Sequence, residues 1–349
     1  MKIVLISTGV LPVPPVGYGG LEQIIYDLAV PLAEKGHDVH VVAPSESKLP
    51  GNVHLIDGGV CLPNAHQWEM ECYEKQILPR LSSAEFKDAV WHDHSWRKMI
   101  YLAKIDNSKL NVMSTLHGML CYQKPPPISK PSIAGISKSH AGILSAGLGI
   151  PIRFVYNGIN LDNYIYNGGD RNGRYLFLAR ITPFKGTHVF LDLMNQLNLK
   201  GDIVGDDALV EDQEYVNRIL KGCNESKNVR YWGGVPRDRA SELFRKSKCY
   251  ILPCTPGWEE PFGLTVIEAM ASGCPVIATK SGAIPELVTQ GVDGYVSDTI
   301  YDLPKYVNDE ALSVITPENC RKKAEMFSRE NMADGYLKLY NEVLDHGGW

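Results

Sequence analysis

Lys2-Ile3-Val4-Leu5-Ile6-Ser7-Thr8, with the unbroken apolar run Ile3 to Ile6 inside it, has the pattern of a strand buried on both faces. A glycine- and proline-rich stretch follows, after which Leu21, Ile24, Ile25, Leu28, Ala29, Leu32 and Ala33 recur at helical spacing as one apolar stripe. Gly36 stands just past that stripe, where a left-handed residue ends a helix, and Asp38-Val39-His40-Val41-Val42-Ala43 supplies a second β-rich run. Strand, crossover helix and strand in that order spell a parallel unit.

The same alternation continues outward. Short β runs at 89–92, 112–116, 133–136 and 152–156 are separated by segments long enough for helices, so the first half reads as a doubly wound α/β domain ending near Gly158. A second series at 175–179, 202–204, 228–232, 249–252 and 275–278 reads as another α/β domain of similar size. Between them, residues 160–173 hold four asparagines and three glycines without an apolar period, which marks the linker. A last helical pattern covers 332–344, and its spacing alone is compatible with docking on either domain.

A chain of 349 residues, 44% hydrophobic and 21% charged, has the composition of a globular protein large enough for two cores. With 35 basic against 40 acidic residues and no long like-charge block, sequence-independent nucleic-acid binding is not expected. Residues 3–21 are uncharged, yet Pro12, Pro14, Pro15 and four glycines break the run, so neither a transmembrane helix nor a secretory signal is expected there. The eight cysteines form no C-x-x-C pair and read as reduced thiols that pack.

Ligands of open parallel sheets bind beyond the carboxyl ends of the strands, and the residues with chemistry fall there. Glu259-Glu260-Pro261-Phe262-Gly263-Leu264-Thr265-Val266-Ile267-Glu268 runs into a helix expected to start near Gly263, whose unpaired N–H groups and positive dipole end suit a phosphate. Glu260 would stand just outside that terminus and Glu268 on its second turn. Spacing alone also allows Glu260 merely to complement the dipole and Glu268 to be solvated. Arg180 and Lys185 close the run 175–179 as two cations able to neutralise a departing diphosphate, or as an ordinary surface pair. Gly17-Tyr18-Gly19-Gly20 precedes the first helix but has neither dinucleotide spacing nor a P-loop lysine. His92 and His94 share one face of a strand end with Asp93 opposite, and His117-Gly118 ends another strand; each histidine is either a hydrogen-bonding group in the site or a satisfied packing residue, and no third metal ligand has recognisable spacing. Asp206-Asp207 reads as a turn rather than a metal-binding pair, and Tyr122 to Pro127 as a connector or an acceptor loop.

Taken in order, these segments resemble the retaining glycosyltransferases of the GT-B fold, family 4. The likeness spans the Gly17 to Gly20 loop, His92-Asp93-His94, His117-Gly118, Tyr156-Asn157-Gly158-Ile159-Asn160, the Arg180 and Lys185 pair, and the Glu260 to Glu268 segment with Ser281-Gly282-Ala283-Ile284-Pro285-Glu286 behind it. The resemblance implies two Rossmann-like domains facing a cleft, with 1–158 on the acceptor side, 159–329 on the donor side and a final helix, 330–349, crossing back to the first. It implies that Glu268 holds the nucleotide's ribose, that Glu260 and the main chain of Phe262, Gly263 and Leu264 contact donor sugar or phosphate, and that Arg180 and Lys185 clamp the diphosphate. His117 would lie near the reacting centre, and Gly19 and Gly20 where donor phosphate and acceptor meet. The activity so implied is metal-independent, retaining transfer from a nucleotide-diphosphate sugar, a co-substrate with no further cofactor, to the hydroxyl of a sugar, glycan or lipid-linked glycan. It would take place in the cytoplasm, free or peripheral at a membrane. A nucleotide-sugar epimerase, a sugar phosphorylase and a non-catalytic sugar- or nucleotide-binding module are the alternatives; a NAD-dependent dehydrogenase is disfavoured by the missing glycine spacing.

Overall fold

The chain divides into two units, Met1–Gly158 together with Arg329–Trp349, and Ile159–Ser328. The computed structural model describes residues 1–17, 19–98, 100, 103–104, 109–118, 128–166, 171–205, 210 and 212–349. The Asp206-Asp207 turn and the Tyr122 to Pro127 segment therefore lie outside the described residues.

In the first unit, β1 (Lys2–Ile6), β2 (Asp38–Ala43), β3 (Val53–Asp57), β4 (Val90–Asp93), β5 (Asn111–Thr115), β6 (Ile133–Gly135) and β7 (Arg153–Phe154) form one sheet. Its order is β3-β2-β1-β4-β5-β6-β7 and every neighbouring pair is parallel. Central β1 carries Ile3, Val4 and Leu5 with no exposed surface, which is why its sequence shows no alternation. The helix Gly20–Glu34 buries Ile24, Ile25, Leu28, Ala29 and Leu32, the stripe read from the sequence.

In the second unit, β8 (Tyr175–Leu178), β9 (Gly201–Val204), β10 (Val229–Tyr231), β11 (Cys249–Leu252), β12 (Val276–Thr279) and β13 (Gly294–Ser297) pair in the order β10-β9-β8-β11-β12-β13, again all parallel. Phe177 of β8 packs on Phe190 of the helix Thr187–Gln196 with ring centroids 5.8 Å apart, over a core that includes Ile203, Ile251 and Ile277. In both sheets the order reverses beside the first strand, between β1 and β4 and between β8 and β11, and such a reversal opens a crevice at the carboxyl ends. The cysteines at 72, 223, 249, 254, 274 and 320 are buried and unbridged, and burial pushes the Cys254 thiol up to about 12.

The last helix, Arg329–His346, belongs to the first unit and buries Met332, Tyr336, Leu339, Tyr340 and Val343. Its phenols tie it to the strand ends. Tyr340 Oη lies 2.7 Å from His92 Nδ1, His92 Nε2 lies 2.8 Å from Thr115 Oγ1, and Thr115 Oγ1 lies 3.0 Å from Tyr336 Oη. His94 stacks on His92 with centroids 3.9 Å apart and places Nδ1 2.8 Å from His117 Nε2. Burial first, then the charges of Lys98 and of neighbouring imidazoles, holds His92, His94 and His117 well below the usual histidine value, so all three are neutral.

Tyr340→Ala should cost about 3–5 kcal/mol in urea denaturation, as truncation of a large buried ring does, whereas exposed Lys338→Ala should stay within about 0.5 kcal/mol. A pH effect also follows. The unfolded chain binds protons at these histidines near about pH 6.5 while the folded chain does not, so stability falls as pH drops through that value, by up to about 1.4 kcal/mol per pH unit for each. Thermal melts at pH 7.5 and 5.5 should show the lower Tm at 5.5; an unchanged or higher Tm there contradicts the reading.

Candidate active site

The site residues of the second unit converge at the carboxyl ends of β8 and β11, where its sheet reverses order. Leaving β8, the chain passes Arg180 and turns through the short helix Pro183–Lys185 to Gly186, which caps the helix Thr187–Gln196 at φ +74°. A Cβ at Gly186 would sit 1.8 Å from the Pro253 carbonyl oxygen, so only glycine lets this loop press against the chain leaving β11. Thr255 completes the junction: its N–H donates to Phe184 O at 3.0 Å and its hydroxyl to Pro183 O at 3.2 Å.

That close approach brings the Lys185 ammonium onto Glu260 Oε2 as an ion pair. Both groups are largely dry, with side chains 16% and 8% exposed. Burial, the largest single effect, pulls the Lys185 pKa down; the charge and hydrogen bond of Glu260, with Cys254 adding, together outweigh it, and the nearby Arg180 charge works against them, so the net is a raised value and a charged lysine. Arg180 itself is exposed and makes no ion pair with a described residue. Trp258 Nε1 donates a second hydrogen bond to Glu260 Oε2 at 3.2 Å.

The main chain of Glu260 is held by the loop after β12. Its N–H donates to Ser281 Oγ at 3.0 Å, the Ser281 hydroxyl donates to Trp258 O at 2.6 Å, and Ala283 N–H donates to Glu260 O at 2.9 Å. Gly282, at φ +47°, makes this contact possible, because a Cβ there would lie 2.2 Å from Glu260 O. Beyond Glu260 the helix Leu264–Ala271 begins with Gly263 as its N-cap and no side-chain cap, which leaves a positive dipole end at the site. Phe262 buries its ring against Phe327, so its main chain rather than its ring faces any ligand. Thr265 in the first turn is pinned by Tyr250, whose hydroxyl is 2.7 Å from Thr265 Oγ1 and 3.1 Å from Leu178 O.

Glu268 is buried rather than solvated, and pairs at 3.3 Å with Arg237, the first residue of the helix Arg237–Lys246. The structure thus pairs Lys185 with Glu260 at the strand ends, sets Gly263 and Leu264 at the start of the helix that follows, and pairs Glu268 of that helix with Arg237. Trp258 and Arg237 were not read from the sequence: Arg237 reaches Glu268 through the fold, and Trp258 stands two residues before Glu260 without a pattern of its own, while Ser281, named in the likeness, binds the Glu260 main chain.

In the first unit, Gly19 caps the helix Gly20–Glu34 at the carboxyl end of β1, with φ +140°, while Tyr18 lies outside the described residues. Thr8, at the end of the same strand, donates its hydroxyl to Glu22 in that helix. His117 follows β5, bonded to His94 and only partly buried by its surface. His92 is a satisfied packing histidine, with both ring nitrogens engaged. Among the described residues no three His, Cys, Asp or Glu side chains are grouped to hold a metal ion.

Comparison with known proteins places these features in a family. Residues 18–163 match the profile "Glycosyltransferase Family 4" and residues 168–327 the profile "Glycosyl transferases group 1". Spore coat protein SA of Bacillus subtilis is 26% identical over 98% of this chain and 100% of its own length. The uncharacterized glycosyltransferase MJ1178 of Methanocaldococcus jannaschii is 29% identical over 55% of this chain, which spans about half (54%) of that relative's length. Among solved structures, sucrose-phosphate synthase of Thermosynechococcus elongatus superposes with a TM-score of 0.80 at 18% identity over 99% of both chains. Anabaena HepE in complex with UDP does so with a TM-score of 0.72 at 18% identity over 98% of this chain and 100% of that one. Two parallel sheets of this order, an uncapped helix behind a lysine–glutamate pair, and family profiles reaching from residue 18 to residue 327 lead to one conclusion: the chain belongs to the family 4, group 1 glycosyltransferases of the GT-B fold.

Proposed function

We propose that the protein transfers a sugar from a nucleoside-diphosphate sugar to an acceptor hydroxyl, with retention at the anomeric carbon and without a metal ion. The observation that carries this reading is the dry Lys185–Glu260 pair beside the uncapped N-terminus of the helix Leu264–Ala271. Breaking the anomeric bond gives the sugar oxocarbenium character and gathers negative charge on the diphosphate. A fixed ammonium and a helix dipole end, aimed where that charge develops, lower the barrier without reorganising. Exposed Arg180, whose charge acts on Lys185, adds a second cation in this scheme.

The other residues divide the donor between them. The Glu268 carboxylate accepts from the vicinal hydroxyls of the ribose and Glu260 from a hydroxyl of the transferred sugar, with the main chain of Phe262, Gly263 and Leu264 on the phosphates or sugar. His117, neutral and hydrogen-bonded to His94, serves the reacting centre, and Gly19 and Gly20 offer peptide groups at the meeting of phosphate and acceptor. A departing phosphate oxygen takes the acceptor's proton on the face it leaves, so the reaction needs no carboxylate nucleophile. The same-fold structures with UDP, with UDP-glucose and with ADP and acarbose support a nucleoside-diphosphate sugar as co-substrate. No other cofactor enters the scheme. A cytoplasmic setting, free or peripheral at a membrane, suits such a donor; among the described residues no helix is long and apolar enough to cross a membrane.

Lys185→Ala should lower turnover by on the order of 10² to 10³ with the fold intact, as loss of one preorganised charge-stabilising donor does. Initial rates with a panel of nucleotide sugars check this, and a folded variant at full rate would remove Lys185 from the mechanism. Turnover should also survive exhaustive treatment with EDTA, whereas dependence on added divalent metal would overturn the metal-free scheme.

A further inference from the structure

Trp258 is held on every side. Its N–H donates to Thr255 O at 3.3 Å, its carbonyl accepts the Ser281 hydroxyl at 2.6 Å, and its indole stacks on Phe184 with centroids 5.2 Å apart at 27°. Phe184 is 53% exposed, so the indole is pinned at the rim of the site rather than in the core. The Lys185 ammonium lies 5.6 Å from the centroid of the same ring.

The consequence falls on Glu260. A glutamate carboxylate turns easily about its last torsion, which has broad, roughly two-fold preferences. Here one oxygen, Oε2, takes both the Lys185 ammonium and the Trp258 indole N–H at 3.2 Å, while Oε1 accepts from no described residue. Two donors from different directions on one oxygen fix the plane of the carboxylate and leave the other oxygen for a ligand. Lysine alone would leave that plane less defined, because an ammonium is a compact point charge without a preferred carboxylate geometry.

We propose that Trp258 is a positioning residue of the donor site, whose indole N–H sets the rotation of the Glu260 carboxylate so that Oε1 meets a hydroxyl of the donor sugar. The assignment rests on the donor-site reading above and adds to it a residue that acts through Glu260.

Trp258→Phe keeps a ring against Phe184 and Lys185 and removes only the donor. Its KM for the nucleotide sugar should rise by on the order of 10-fold, the loss expected for one hydrogen bond to a charged group, with kcat changed less than about twofold. In a Glu260→Gln background the same substitution should add less than about twofold to KM, because two residues acting through one contact do not add. Without any ligand, the Trp258 indole ¹H–¹⁵N resonance, recognised by its absence from Trp258→Phe, should shift in Glu260→Gln. A residue that only covers the ion pair would instead give wild-type KM in Trp258→Phe and a defect in Trp258→Ala alone. Wild-type KM in Trp258→Phe, or effects of the two substitutions that multiply, overturns the assignment and leaves the donor site standing. A wild-type protein that neither binds nor turns over any nucleotide sugar overturns both.

Discussion

An ammonium and a carboxylate taken out of water together, Lys185 and Glu260, are the constraint around which the second unit is arranged. Removing such charges from water costs several kcal/mol per ion, and their attraction offsets that cost only when geometry and further hydrogen bonds are good. A buried ion pair is therefore a poor device for stability alone. It suits a protein that must present fixed charge to a ligand, since the desolvation has been met in folding. The supports around it follow from that need. Gly186 lets the β8 loop reach the β11 loop, Gly282 lets the β12 loop close on Glu260, and Ser281 bridges the main chain of Trp258 and Glu260.

The first unit meets its own constraint in another way. Its last helix comes from the far end of the sequence, and two of its phenols satisfy His92 and Thr115 at the strand ends. Neutral, packed imidazoles result, with His94 fixed by stacking and His117 fixed by His94. A helix more than 200 residues further along the chain thereby secures the ends of β4 and β5. The Lys185–Glu260 pair and the docking of the last helix are thus each built at the carboxyl ends of a parallel sheet, the place where that architecture exposes loops on a rigid frame.

Central elements were legible in the sequence because burial leaves a strong pattern. The runs at 38–43 and 249–252 coincide with β2 and β11, and the apolar stripe marks the helix Gly20–Glu34. Two of the four edge strands, β3 and β13, were not, although edge strand β10 falls within the run 228–232. In β3 only Val53 and Ile56 are buried while His54, Leu55 and Asp57 are exposed, and β13 is a four-residue run, Gly-Tyr-Val-Ser; an edge strand half in water has no reason to look apolar. At β7 the run 152–156 shrinks to Arg153–Phe154 for the same reason. The placement of Glu260, Gly263 and Glu268 was legible because one strand–loop–helix passage sets them in sequence. Glu268 defied the solvated alternative, since its partner Arg237 stands 31 residues away, and Lys185 finds Glu260 across 75 residues. Contacts of that range are decided by sheet order, which short spacings do not carry.

A crystal structure of the protein with a nucleoside-diphosphate sugar tests the central claim most directly. The diphosphate should lie with an oxygen roughly 3 Å from Lys185 Nζ, in front of the helix Leu264–Ala271, with a sugar hydroxyl on Glu260 Oε1. A diphosphate bound elsewhere, with Lys185 and Glu260 paired and untouched by the ligand, would contradict it.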